Sequence, residues 1–145
     1  MTNNLNLYIK KFILYWLPVI IWAIVIFIFS ANPTTRASEI HWQDFVVKKT
    51  AHVFIYAILT TLLYRSLIAS GLDTKKSAVL STIIAILYGF SDEFHQSFTP
   101  GREPKLRDVF FDTFGSATAA YLILNRLKFF PERIRTLARK LEILK

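Results

Sequence analysis

The residues best suited to chemistry stand together at the end of an apolar stretch. Asp92, Glu93, His95 and Gln96 follow directly on "SAVLSTIIAILYGFS", fifteen residues without a formal charge. Farther off lie His52 in "KKTAHVFIY" and the pair Asp108 and Asp112 in "DVFFD". Glu93 and His52 are candidate general acid/base groups, because desolvation and neighbouring carboxylates move such side chains toward neutrality. Arg102 follows a Pro-Gly turn, where a guanidinium can grip a phosphate or carboxylate with two parallel bonds. Asp92, Glu93, His95, Asp108 and Asp112 could instead hold a divalent metal. Their spacing matches no closed zinc pattern, so no metal is expected, and the sequence names no cofactor. No nucleophile elbow, phosphate-cradling glycine loop or dinucleotide fingerprint is present.

These groups need elements to carry them, and composition says which. The chain has 145 residues, is 53% hydrophobic and 15% aromatic, and has a mean hydropathy of +0.38, which points to a membrane. "FILYWLPVIIWAIVIFIF", residues 12–29, carries no charge and is expected to span. It is longer than a signal-peptide core and no small-x-small cleavage site follows, so a retained span is expected. Apolar stretches near 50–69, 77–98 and 106–124 complete an all-α fold of four transmembrane helices. The third is closed by the Thr99-Pro100-Gly101 breaker. Residues 30–49 are expected to form a polar loop, with His41 and Trp42 as interfacial residues. Trp16 and Trp22 are expected to face lipid or neighbouring helices, and Arg65 to snorkel toward inner headgroups. The four-helix domain takes residues 1–125, and a basic cytoplasmic tail takes 126–145.

Charge orients the bundle. With the N-terminus inside, twelve Lys and Arg fall on the cytoplasmic side, including Lys10, Lys11, Arg65, Lys75, Lys76 and the tail. Six fall outside: Arg36, Lys48, Lys49, Arg102, Lys105 and Arg107. Both termini are therefore expected in the cytoplasm. In the tail, Pro131 can start a helix whose apolar residues Ile134, Leu137, Ala138, Leu141 and Leu144 share a face, giving an amphipathic helix on the inner surface. The net charge of +8 is expected to meet membrane lipids rather than nucleic acid. No cysteine is present, which excludes disulfide and thiol chemistry.

This topology brings the polar groups to one membrane face. The second span begins outside, near Lys48, Lys49 and His52. The third ends outside, near Asp92, Glu93 and Gln96, and the fourth starts there with Asp108 and Asp112. Lys48, His52 and Tyr56 recur every four residues and share one helical face, as do Asp92 and Gln96. Asp108 and Asp112 are likewise four apart, and Gly115 and Ala119 continue their face as small residues that let another helix approach. Asp92 lies about 10 Å inward from Phe98. Carboxylates that deep need partners, with His52, Arg102 and the loop lysines available. A polar pocket open to the outside is the functional expectation. A purely structural ion-pair network is the alternative.

"FSANP", "KTAHVFIYAIL", "YGFSDEFHQSFTPGR" and "DVFFDTFG" together resemble the VanZ-like family of bacterial membrane proteins, over residues 16–124. The match carries over Ser30, Pro33, Lys49, His52, Tyr56, Asp92, Glu93, Gln96, Arg102 and Asp108. Asp112 stands where many relatives have Asn or Asp, and Ala119 where a second glycine is expected. The resemblance implies a protein of the bacterial cytoplasmic membrane associated with resistance to teicoplanin, a lipoglycopeptide acting on cell-wall precursors. It carries no settled activity.

Three functions remain open on the sequence. A binding module would hold a lipid-linked envelope precursor or the antibiotic, using Lys49, Tyr56, Gln96, Arg102, Asp108 and Asp112. A membrane hydrolase or transferase would use His52, Asp92 and Glu93 as its catalytic groups. A small transporter would use Asp92 and Asp112 and require an oligomer.

Overall fold

The computed structural model describes residues 2–32, 40–100, 102 and 105–143. Pro33, Arg36, Gly101 and Leu144 lie outside them. Helix α1 (Thr2–Lys11) runs through a π-helical turn (Phe12–Trp16) into α2 (Leu17–Ser30), with Pro18 in the first turn, where its missing N–H is harmless. Then come α3 (His41–Ala69), α4 (Thr74–Gln96) and α5 (Leu106–Tyr121), which continues as a π-helical turn (Leu122–Arg126). After a short 3-10 turn, Pro131 precedes α6 (Glu132–Lys140). No strand occurs among the described residues.

Among the described residues, three helical stretches are long and apolar enough to cross a membrane: Leu5–Ser30, His41–Ala69 and Thr74–Gln96. Their surfaces fit that solvent. Phe54, Leu87, Phe90, Phe94, Phe110 and Phe114 point outward, while Ser66, Ser77, Ser81, Ser116, Thr60, Ala78 and Ala85 are buried. This reverses the soluble pattern. In hydrocarbon the apolar faces need no covering, and small residues inside let helices pack closely. α3 packs most extensively on α5, then on α4, and α4 also packs on α5. A core of Val19, Ile26, Tyr56, Leu59, Leu63 and Ala85 joins α2 to α3 and α4.

The expected polar loop over 30–49 needs correction, because α3 begins at His41. The charges that make 41–49 look like a loop are spent within the bundle. Asp44 stands in the first helical turn, where a carboxylate favours the helix N-terminus, and it pairs with Lys48 one turn on at 2.8 Å. Lys49 turns inward to Asp108. α4 is capped as its sequence suggests: the Asp73 side chain accepts from the Lys76 N–H at 2.9 Å. That bond, reinforced by the Lys76 ammonium, holds the Asp73 carboxyl below the ordinary carboxylate range.

The first helical stretch is fastened to the bundle by side-chain bonds to backbone. Tyr88 donates to the Ala23 carbonyl at 2.7 Å and Ser66 to the Tyr15 carbonyl at 2.7 Å. Trp22 Nε1 donates to the Ile55 carbonyl at 3.0 Å, and Trp16 Nε1 to Ser70 Oγ at 3.3 Å, so both indoles address neighbouring helices. The Arg65 guanidinium lies over the Tyr15 ring and donates to the Leu14 carbonyl at 3.4 Å. The Tyr15 hydroxyl bonds to Glu142 beyond α6, tying the tail to the same end of the bundle.

Candidate functional site

The start of α3, the end of α4 and the start of α5 meet at one end of the bundle, and there a cavity of about 680 Å³ opens. Lys49, His52, Tyr56, Asp92, Gln96, Arg102 and Asp108 line it, so most of the residues expected from spacing converge. Glu93 and Asp112 do not line it and sit behind it, 5% and 0% exposed. Apolar walls come from Ile26, Phe29, Phe45 and Ile55.

Two short side-chain contacts brace the wall between α3 and α5. Lys49 Nζ stands 2.5 Å from Asp108 Oδ1, and His52 Nδ1 stands 2.8 Å from Asp112 Oδ1. Both follow from the same geometry, in which residues three or four apart on each helix repeat the contact one turn further in. The Asp112 contact occupies Nδ1 and leaves Nε2 as the imidazole nitrogen available to the cavity. Gly115 permits the approach. A Cβ on it would fall 2.2 Å from the Val53 carbonyl oxygen, so α3 and α5 cross nearly backbone to backbone one turn below the His52–Asp112 contact. Ala119 is buried further along the same face. On α4, a Cβ at Gly89 would press 3.3 Å from Asp112 Oδ2 and 3.5 Å from the Tyr56 ring.

Asp92 is oriented by Gln96, whose Nε2 donates to Oδ2 at 2.9 Å. Glu93 turns away from the cavity, and its Oε2 accepts from the Lys105 backbone N–H at 2.7 Å, fixing where α5 begins. His95 stacks on Phe27 with ring centroids 4.1 Å apart and is also outside the cavity lining. Arg102 lines the cavity from the segment before α5. Its Nε and Nη2 donate to the Asn32 and Phe29 carbonyls, both at 2.8 Å. Carbonyls at a helix C-terminus have no partners within the helix, and a guanidinium fork satisfies two at once. Burial pushes the Arg102 guanidinium below its ordinary value, while the charges of Asp92, Glu93 and Asp108 oppose that.

Several lining residues escape a sequence reading. His41 and Asp44 lie on the turns of α3 that resembled loop, and Arg107 lies over the Phe45 ring at 4.8 Å. The four-residue spacing of Asp44 and Lys48 was the available signal. Among the described residues no group of three His, Asp or Glu side chains is arranged to hold a metal ion. The lining charge is mainly positive: Lys48, Lys49, Arg102, Lys105 and Arg107 against Asp44, Asp92 and Asp108.

No curated protein and no solved structure matches the chain. A family model described as VanZ/LLP1 matches residues 12–129, from the first π-helical turn to the 3-10 turn after α5, and the chain belongs to that family.

Proposed function

We propose that this protein binds an anionic, lipid-linked cell-envelope precursor in the cavity at the ends of α3, α4 and α5. The observation that carries the reading is the pairing of a cationic rim with apolar walls in one cavity. A cationic rim attracts phosphate, and walls such as Phe29 and Ile26 suit the first carbons of a lipid chain. Membership of a family associated with teicoplanin resistance supports an envelope role, since that antibiotic acts on lipid-linked precursors outside the membrane.

The reading includes a topology. α5 and its π-helical continuation reach from residue 106 to 126, about 30 Å at helical rise, and serve as a fourth span. Both termini face the cytoplasm of a bacterial cell, because the basic residues concentrate at that end. α6 then lies on the inner surface, its Arg135 and Arg139 paired with Glu132. The cavity opens outward.

A second reading, hydrolysis or group transfer on the same lipid, is favoured by one feature: Asp112 orients His52 as a buried carboxylate orients a general base. Glu93, the other acid/base candidate, addresses the start of α5 instead, which favours binding over turnover. The experiment is to incubate the purified full-length protein in mild detergent with a bacterial envelope lipid extract and record retained and new lipids by mass spectrometry. Enrichment of anionic phospholipid, reduced about tenfold by combined Lys48→Ala and Arg107→Ala, is the expected result. Retention indifferent to lipid charge would overturn the binding reading. New lipid species formed by the wild type and lost with His52→Gln would establish the second.

A further inference from the structure

The cationic rim accounts for only half of the cavity. Its lining also includes three polar side chains from three separate elements, Ser30 of α2, Tyr56 of α3 and Asp92 of α4. They are 4%, 1% and 5% exposed. Ser30 Oγ, the Tyr56 hydroxyl and Asp92 Oδ1 each lack a hydrogen-bond partner among the described residues. Polar atoms buried this deeply are costly to leave unmade, more so inside a membrane protein, where hydrocarbon offers no substitute.

The group is held in place rather than loose. Gln96 fixes the Asp92 carboxylate through Oδ2 and leaves Oδ1 over. The Tyr56 ring is set beside Tyr88, with centroids 6.4 Å apart, and beside the bare Cα of Gly89. One carboxylate oxygen can only accept, and two hydroxyls can each donate or accept. That donor and acceptor set matches a ligand carrying several hydroxyls. An ammonium would satisfy Asp92 but would leave the hydroxyls as donors without acceptors. It would also bring a cation into a cavity already lined mainly by cations.

We infer that the cavity floor selects a hydroxylated headgroup, so that the ligand is a polyol- or sugar-phosphate lipid with its phosphate at the Lys48 and Arg107 rim and its hydroxyls on Ser30, Tyr56 and Asp92. This rests on the anionic-lipid reading above and adds the headgroup class to it.

The test compares three lipids with identical acyl chains in equimolar mixture: phosphatidylglycerol, phosphatidic acid and phosphatidylethanolamine. Retention on the detergent-purified full-length protein is read by native mass spectrometry. The wild type is expected to retain phosphatidylglycerol over phosphatidic acid by at least about tenfold, because a site built to bond hydroxyls rejects an analogue lacking them. Tyr56→Phe and Ser30→Ala, which each remove one hydroxyl, should each shrink that ratio. Equal retention of the two anionic lipids by the wild type, both above phosphatidylethanolamine, overturns the headgroup inference alone. Preference for phosphatidylethanolamine overturns both the inference and the anionic reading. Both of these comparisons are made on the wild type, so neither depends on a variant folding.

Discussion

Gly115→Ala is the sharpest perturbation the structure offers. An added Cβ would stand 2.2 Å from the Val53 carbonyl oxygen. Carbon and carbonyl oxygen approach no closer than about 3.3 Å even in favourable C–H contacts, so α3 and α5 must part locally by about 1 Å. The obstacle is backbone, which cannot swing aside as a side chain would. Overpacking of this kind costs about 1–3 kcal/mol. The parting also lengthens the His52–Asp112 contact from 2.8 Å, to about 3.8 Å, beyond hydrogen-bond range. Asp112 is fully buried, and losing its partner adds about 1–3 kcal/mol. A combined loss of about 2–6 kcal/mol lowers the melting temperature by roughly 4–24 °C. The assay is thermal unfolding of the purified protein in detergent, with Phe114→Ala on the outward face as the control. A Gly115→Ala protein melting within about 2 °C of wild type would refute the close crossing and with it the packing assigned to α3 and α5.

Other predictions follow from single contacts. Because the chain has no cysteine, Ser97→Cys should react with an impermeant maleimide on intact cells, and Lys75→Cys only after permeabilisation; the reverse pattern would invert the proposed topology. Arg102→Lys keeps the charge but not the fork that spans the Asn32 and Phe29 carbonyls, so its melting temperature should fall nearly as far as that of Arg102→Ala, whereas full rescue by lysine would mean that charge alone matters at this position. Asp73→Ala removes the α4 cap and should lower the melting temperature modestly at neutral pH. Since the folded Asp73 titrates lower than the unfolded one, its stabilisation is present above the ordinary carboxylate range and lost as pH falls through the folded value. The difference between Asp73→Ala and wild type should therefore close in acid, and a gap that persists there would show the cap acts by something other than its charge.

The sequence spoke most clearly where chemistry and periodicity agreed. The uncharged run at 12–29 and the four-residue spacings of Asp92 with Gln96 and of Asp108 with Asp112 placed helices and their polar ends without reference to coordinates. The start of α3 was illegible because Asp44, Lys48 and Lys49 read as solvent-facing until their partners are known, and Lys49 finds its partner 59 residues away. The bonds of Arg102 were illegible for a related reason, since its two acceptors are backbone carbonyls that any sequence could supply. Glu93 and Asp92 are neighbours of nearly identical chemistry, and only the rotation of α4 decides that Asp92 meets the cavity and Glu93 meets α5.

The way the first helical stretch is fastened divides mutational freedom unevenly along the chain. Tyr88, Ser66, Arg65 and Arg102 all reach to carbonyls of residues 14–32, at Ala23, Tyr15, Leu14, Phe29 and Asn32. A carbonyl persists whatever side chain its residue carries, so the receiving positions can change identity while the bond survives. The donating side chains have no such latitude. A saturation scan should accordingly find the outward-facing positions of 14–29 tolerant of almost any apolar exchange, with Tyr15, Trp16 and Trp22, which donate in the opposite direction, and the buried Val19 and Ile26 as the exceptions. Intolerance should instead concentrate at the partner positions in α3, α4 and the segment before α5.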